Sequence, residues 1–248
     1  MRMPAKKEHH LVIVRHGESE GDVWRASRKI GLLTYSLVRD PARHEQTEKG
    51  HEQVAAAGRW LVRNVLERHG INDFDLYVTS PLLRARQSAQ SLGIGDNWQD
   101  EPTLRDRDRG KFKMPPDEHK TKFPKSYKRM MEDPLHWKPP GGRTVASMVD
   151  VEIGQFKEKA KAHQSVLAVT HREWMWGSLV VFAGLTRAEA GRYNTDQINN
   201  GQVFEFTNLN PDSGRIENDS YRFWRSVCPW ENEAKVEADS NTWYEIAA

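Results

Sequence analysis

The apolar residues of this chain fall in short runs separated by amphipathic stretches, and this alternation limits the fold more than any other feature. Residues 11–14, 75–79 and 166–170 read as buried strands. Between the first two, Val54, Ala57, Leu61 and Val65 stripe one face of a helix that starts at an N-capping Thr47 and ends near Gly70. Thr144 caps a second helix, striped by Val145, Val149, Ile153, Phe156 and Ala160. Strands alternating with helices predict an α/β fold: a three-layer sandwich with a mostly parallel central sheet and helices on both faces.

The remaining segments give weaker signals. Residues 20–46, with Gly21, Gly31 and Asp40-Pro41, read as a long connection. Ser80 is expected to cap the next helix, with Pro81 at its first position. Residues 115–140 read as an irregular excursion with one short helix near 126–132. A helix is expected over 174–182, and edge strands over 202–207 and 221–224. The expected organisation is a single domain with a core over about 8–226, a lid insertion over about 105–140 and a C-terminal tail over about 227–248.

Composition narrows the class. Charged residues make up 29% and apolar ones 37%, and no apolar run approaches the ~18 residues of a membrane span. The first ten residues carry no hydrophobic segment, so no secretory signal is expected. His9-His10 reads as a flexible start. The one cysteine, Cys228, has no internal partner, which suits a reducing, cytoplasmic compartment. Charge is uneven. Residues 105–129 hold ten Lys or Arg against four Asp or Glu, and the last eighteen residues hold five acids and one lysine. The basic stretch is either a solvated face or a basic lid over an anionic substrate.

The strand ends carry the chemistry. The first strand ends at Arg15-His16-Gly17-Glu18-Ser19, the second runs into Ser80-Pro81-Leu82-Leu83-Arg84-Ala85, and the third ends at Thr170-His171. In open α/β sheets ligands bind beyond the carboxyl ends of strands. A parallel sheet therefore brings two histidines and two arginines into one crevice.

These residues resemble the histidine phosphatase superfamily, which includes the phosphoglycerate mutases. Arg15-His16-Gly17 is similar to its Arg-His-Gly signature, and Thr47-Glu48-Lys49-Gly50-His51-Glu52-Gln53 to its Thr-x-x-Gly-x-x-Gln helix start. Residues 79–89 resemble its Ser-Pro-x-x-Arg-Ala-x-Gln-Thr segment, and His171 supplies the second histidine. The resemblance runs over about residues 10–207 and implies a metal-independent phosphomonoester hydrolase. His16 would be the nucleophile that takes up phosphate, Arg15 and Arg84 the phosphate clamps, and His171 a donor to a nonbridging oxygen. Leu104-Arg105-Asp106-Arg107-Asp108-Arg109-Gly110 is similar to the family's Leu-x-Glu-x-x-x-Gly, which makes Asp106 the proton donor, with Asp108 as alternative. The neighbours Arg105 and Arg107 would oppose the rise in pKa that this role needs.

Departures from the family pattern keep a second reading open. Asp22 stands where asparagine is common, Arg172 where glycine is common, and Gly141-Gly142-Arg143-Thr144 carries an arginine in place of an acid. Ser19, Asp22 and Arg172 stand as candidate substrate contacts, and Arg143 is either a clamp or a surface charge. The alternative is a weak or inactive pseudoenzyme that binds a phosphorylated ligand. A phosphoglycerate mutase ranks lower, because no Arg-Arg-Ser-Tyr segment is present. No glycine-rich nucleotide loop or histidine–cysteine metal spacing occurs, so neither a cofactor nor a metal is expected. The expected partner is a small phosphorylated molecule, not nucleic acid or membrane. Oligomeric state has no signature in the sequence.

Overall fold

The computed structural model describes residues 7–28, 40–110, 116–193, 197–217 and 219–246. Among the described residues, seven strands form one sheet. In chain order they are β1 (His10–Arg15), β2 (Leu76–Thr79), β3 (Gln99–Asp100), β4 (Ser165–Thr170), β5 (Val203–Thr207), β6 (Phe223–Val227) and β7 (Tyr244–Glu245). The spatial order is β3-β2-β4-β1-β5-β6-β7. The pairings β2–β3, β2–β4 and β1–β4 are parallel, while β1–β5, β5–β6 and β6–β7 are antiparallel. The sheet is therefore mixed, parallel in one half only.

Alternation along the strands fills two cores. Leu11 and Ile13 of β1 join Val166 and Ala168 of β4 and Phe204 and Phe206 of β5 on one face. Val12 and Val14 join Leu167, Val169 and Val203 on the other. The second face is covered by α2 (Glu48–Leu61), continued by a π-helical turn over Val62–Glu67, and by α3 (Leu83–Ser91). The first face is covered by a helix made of α6 (Val145–Met148), a π-helical stretch and α7 (Gly154–Lys161), and by α8 (Arg172–Val181), whose Trp176 Nε1 donates to the Ala190 carbonyl of α9 (Arg187–Arg192). Both striped helices of the sequence are in place. Thr47 accepts from the backbone N–H of Gly50, and Thr144 from that of Ser147. Buried Val, Leu and aromatic side chains contribute roughly 1.5–3 kcal/mol each, so these faces supply most of the stabilisation.

Five expectations need correction. Residues 20–46 include a helix, α1 (Glu20–Arg28), besides a one-turn helix at Pro41–Arg43. Gly21 does not break α1: a Cβ there would lie 2.4 Å from His44 Nδ1, so this glycine makes room for a packed ring. Residues 29–39 of the same connection lie outside the described residues, as do 111–115 of the lid segment. Among its described residues, the segment expected to be a lid holds two helices, α4 (Pro116–Lys122) and α5 (Pro124–Glu132), linked through His119, Ser126 and Trp137. Ser80 caps no helix. The N-cap position of α3 is Leu82, and the Ser80 hydroxyl faces His171 instead. The expected edge strands β5 and β6 lie inside the sheet. Finally, the expected tail forms α10 (Glu233–Asn241) and β7, the latter covering the edge of β6. Asn232 caps α10 by accepting from Lys235 N. The Arg225 guanidinium of β6 sits over the rings of Trp60 and Trp243 and donates to the Ser240 carbonyl, so this acidic end is built into the fold.

Among the described residues, no helix is long and apolar enough to cross a membrane.

Candidate active site

Register alone places the two histidines side by side. Arg15 pairs with Thr170 across the parallel β1–β4 ladder, and His16 N then donates to Thr170 O at 3.0 Å. His16 and His171, each one residue further on, bring their ring centroids to 5.1 Å. The end of β2 joins them, because Ser80 N donates to Val169 O.

Hydrogen bonds settle which ring nitrogens carry protons. His16 Nδ1 lies 2.7 Å from the Gly17 carbonyl oxygen and donates to it, so Nε2 keeps its lone pair and accepts from Arg84 Nε at 3.2 Å. Arg84 Nη2 donates to His171 Nδ1 at 3.1 Å, so His171 carries its proton on Nε2 and donates to Ser80 Oγ at 2.8 Å. Both rings are buried. Burial first, and the Arg84 charge second, hold both imidazoles well below the usual histidine range.

The Gly17 backbone is gripped from α2 and α3. A Cβ on Gly17 would sit 2.2 Å from Gly50 O, and one on Gly50 would sit 2.1 Å from Glu18 O. Gln53 Oε1 accepts from Glu18 N at 2.9 Å, Thr47 N donates to Glu18 O at 2.9 Å, and Gly17 N donates to Ser88 Oγ at 3.0 Å. The threonine–glycine–glutamine spacing thus reads as three backbone clamps on the loop that follows His16.

Each cation is held in place by acceptors. Arg15 Nη1 donates to Ile198 O at 2.6 Å and Nη2 to Asp22 Oδ1 at 3.1 Å. Arg84 Nη1 donates to Pro41 O at 2.9 Å and Nη2 to Asp106 Oδ2 at 3.0 Å. Asp22 also accepts from the Ser19 N–H and hydroxyl and from Asn200 Nδ2. Burial works to raise its pKa, but the Arg15 and Arg25 charges and the Ser19 hydrogen bond outweigh that and keep it ionised. Asp22 and Ser19 therefore bind each other and brace Arg15.

A cavity of about 550 Å³ opens over these groups. Its described lining includes seven arginines, at 15, 25, 84, 105, 107, 109 and 172, against Asp22, Asp40, Asp106, Asp108 and Glu173. Within the lid segment the described lining residues are Arg105 to Arg109, and the helices α4 and α5 add none.

A sequence model of the histidine phosphatase superfamily (branch 1) matches residues 11–217. The chain belongs to that superfamily. It is 29% identical over 167 residues to phosphoserine phosphatase 1 of Hydrogenobacter thermophilus, an alignment covering 65% of this chain and 70% of that protein. A mycobacterial glucosyl-3-phosphoglycerate phosphatase solved with inorganic phosphate superposes with a TM-score of 0.63 at 20% identity, covering 92% of this chain and 99% of that one. The alpha-ribazole phosphatase of Shigella flexneri gives 0.59 at 20% identity, covering 84% and 96%. The two structural likenesses show the fold, and the family and the sequence relative support a phosphatase.

Around this superfamily core the structure places the remaining candidates. Asp106 is half-buried at the cavity rim, its Oδ2 4.0 Å from His171 Nδ1. Burial pushes its pKa up, but Arg84 and Arg109, with Arg25 beyond them, outweigh burial and hold it below the usual carboxylate range. Arg107, expected to oppose Asp106, turns away and pairs with Glu173 through two bonds of 2.8 Å. Asp108 accepts from Gly110 N at 2.8 Å. Arg172 lines the cavity, whereas Arg143 does not and pairs with Glu152.

Several participants escaped the sequence reading. Glu173 gathers both Arg107 and Arg109, the latter at 2.7 Å. Asn200 donates to the His16 carbonyl at 3.0 Å. Ser80 orients His171. The usable signal for Glu173 was an acid beside the buried run Trp174-Met175-Trp176, where a charge is costly unless paired.

Proposed function

We propose that this chain is a metal-independent phosphomonoester hydrolase that works through a phosphohistidine at His16. The observation that carries the reading is the His16 ring itself. Its Nδ1 proton is committed to the Gly17 carbonyl, and its Nε2 lone pair faces the guanidinium of Arg84, within a cavity lined by arginines. Phosphoryl transfer depends mainly on positioning and on neutralising charge. Here guanidinium groups supply that positive charge, so the reading calls for no metal at phosphorus.

A phosphate ester would lie between Arg15, Arg84 and His171. His16 Nε2 attacks phosphorus, the P–O bond to the alcohol breaks, and the leaving oxygen takes the proton of Asp106. Water then attacks the phosphohistidine, giving its proton to Asp106 as the P–N bond breaks and inorganic phosphate forms. Asp106 is ionised beside Arg84 in the free enzyme. An incoming phosphate dianion draws Arg84 toward itself and places negative charge near Asp106, and both effects favour the protonated acid. Asp22 and Ser19 act in this scheme by holding Arg15.

The substrate we infer is a small phosphomonoester with a second anionic group, met by Arg25, Arg105, Arg109 and Arg172 at the cavity rim. The substrates named for two of the relatives, phosphoserine and glucosyl-3-phosphoglycerate, each carry a carboxylate. We take the chain as one catalytic domain with residues 105–140 as its lid. The single buried thiol, Cys228, suits a reducing cytoplasm.

The test is covalent trapping. Labelled substrate is mixed with enzyme and quenched in alkali, and the modified residue is located. Acid-labile, alkali-stable label on His16, absent from His16→Gln, is expected. Full turnover by His16→Gln would overturn the nucleophile, and tight phosphate binding by the wild type without turnover of any monoester would favour the pseudoenzyme.

A further inference from the structure

At the opposite end of β1, about 20 Å of strand from His16, lies a second cluster that the reaction does not use. Glu8, His10 and His69 bring one ligand atom each within 4.8 Å of one another. Glu8 Oε1 lies 2.5 Å from His10 Nε2 and 3.7 Å from His69 Nδ1. The rings sit 4.5 Å apart, tilted by 45°. Far from being a flexible start, His10 opens β1 and is 2% exposed.

The outer nitrogens are as telling as the inner ones. His10 Nδ1 and His69 Nε2 point at one atom, Glu205 Oε1, at 3.5 and 3.9 Å. All three atoms are buried and have no hydrogen-bond partner among the described residues. Glu205 is fully buried, and its other oxygen accepts from Arg225 Nε at 2.7 Å. Two imidazoles thus face a half-exposed carboxylate on one side and a fixed, buried carboxylate on the other. Histidine ligands of a metal present one nitrogen to the ion and the other toward an acid; here His10 Nε2 shares a 2.5 Å hydrogen bond with Glu8 Oε1, the contact an ion would replace, and both outer nitrogens face Glu205 Oε1 from just beyond hydrogen-bonding distance.

We propose that Glu8, His10 and His69 form a site for a zinc-class divalent cation, with Glu205 as the acceptor that orients both imidazoles. Two nitrogens and one carboxylate oxygen suit zinc or cobalt and not magnesium, which demands oxygen ligands. With bonds of about 2.0 Å, tetrahedral ligands stand roughly 3.3 Å apart. The 2.5 Å pair has to open and the 3.7 Å pair to close, shifts within reach of the half-exposed Glu8 side chain. Water fills the fourth position from the solvent side. The ion ties the segment before β1 to the end of the α2 helix, and its role is structural.

The test uses full-length protein freed of metal by chelator. Titration with zinc alone is expected to give one tight equivalent and a rise of several degrees in Tm, and cobalt the visible absorption of a four-coordinate ion. Magnesium is expected to give neither. His69→Ala and Glu8→Gln should each weaken zinc binding at least about 100-fold and keep wild-type phosphatase activity. His16→Gln should retain the equivalent, which separates this site from the catalytic histidines. Zinc binding unchanged in Glu8→Gln, a half-exposed position where folding is not at stake, overturns the proposal. So does loss of the equivalent in His16→Gln, or no binding by the wild type.

Discussion

Arg84 Nη2 donates to Asp106 Oδ2 at 3.0 Å while the same guanidinium reaches His16 and His171. One side chain therefore couples the expected proton donor to both histidines. Replacing Asp106 by Asn keeps an acceptor for Arg84 but removes the transferable proton. Loss of a general acid lowers rate by about 10²–10⁴-fold. That loss is expected on alkyl phosphates, whose leaving oxygen needs the proton. On p-nitrophenyl phosphate, whose leaving group departs as a stable anion, the loss in kcat/KM, which reports the phosphorylation step alone, should shrink to tenfold or less. Equal losses on both substrates would remove Asp106 from this role.

Burial and Arg84 keep His16 and His171 neutral well below the usual imidazole range. Their ring-proton resonances, assigned by their absence in His16→Gln and His171→Gln, should stay unshifted between pH 7.5 and 5.5. The stability consequence has a definite sign. Below about 6.5 the unfolded chain binds protons at these positions that the folded chain refuses, so each ring lowers stability as pH falls. Either Gln variant should accordingly lose less stability than wild type between pH 7 and 5, read by denaturant melts.

Gly17→Ala tests the clamp on the loop that follows His16, the proposed nucleophile. The added methyl meets Gly50 O, an atom of the backbone that cannot swing aside, at 2.2 Å. Overpacking of this kind costs about 1–3 kcal/mol. The loop after His16 has to shift, and activity should fall by at least about 100-fold, since misplacement near 1 Å is enough for that. A protein equally destabilised by substitution elsewhere, for example Ile153→Ala, should keep its kcat at a temperature where both are folded.

The acidic C-terminal segment gives a stability prediction. Ending the chain after Trp230 removes α10, β7 and Trp243, uncovers the edge of β6 and takes one ring and the Ser240 carbonyl from Arg225. Burial of Ile246 and the cation–π contact together account for at least about 2 kcal/mol. A drop in Tm of several degrees is expected, with aggregation as β6 becomes an open edge.

What the sequence made legible follows from where hydrophobicity was periodic. Val12, Val14, Val166 and Leu167 face apolar layers and announced β1 and β4, and the Val145-to-Ala160 stripe announced its helix. α10 has no such stripe, because what it buries is polar: Ser240, bonded to Trp60 Nε1 at 2.8 Å, and a carbonyl for Arg225. α1 was hidden by Gly21, whose missing side chain serves His44 and not a turn. At the site, residues one step beyond strand ends were legible, since position follows from register. Asn200, Ser80 and Glu173 were not, because each acts by touching a residue far away in sequence.

Glu173 offers the sharpest test of how the cavity's positive charge is used. It accepts two bonds from Arg107 and one from Arg109, while Arg107 also lies over the Trp137 ring at 5.3 Å. Burial raises the pKa of Glu173, but Arg109 and Arg107 outweigh it, so the acid stays charged and fixes both cations. Glu173→Gln keeps hydrogen-bonding atoms but leaves two guanidinium groups without their counter-charge, at a cost of about 1–3 kcal/mol. If Arg109 meets the second anionic group of the substrate, its displacement raises KM for phosphate esters bearing a carboxylate by about tenfold, as loss of one charged contact does. KM for p-nitrophenyl phosphate, which has no second anion, should change little, and kcat should hold for both. A uniform fall in kcat would place Glu173 with the reacting groups instead, and an unchanged KM ratio would remove Arg109 from substrate selection.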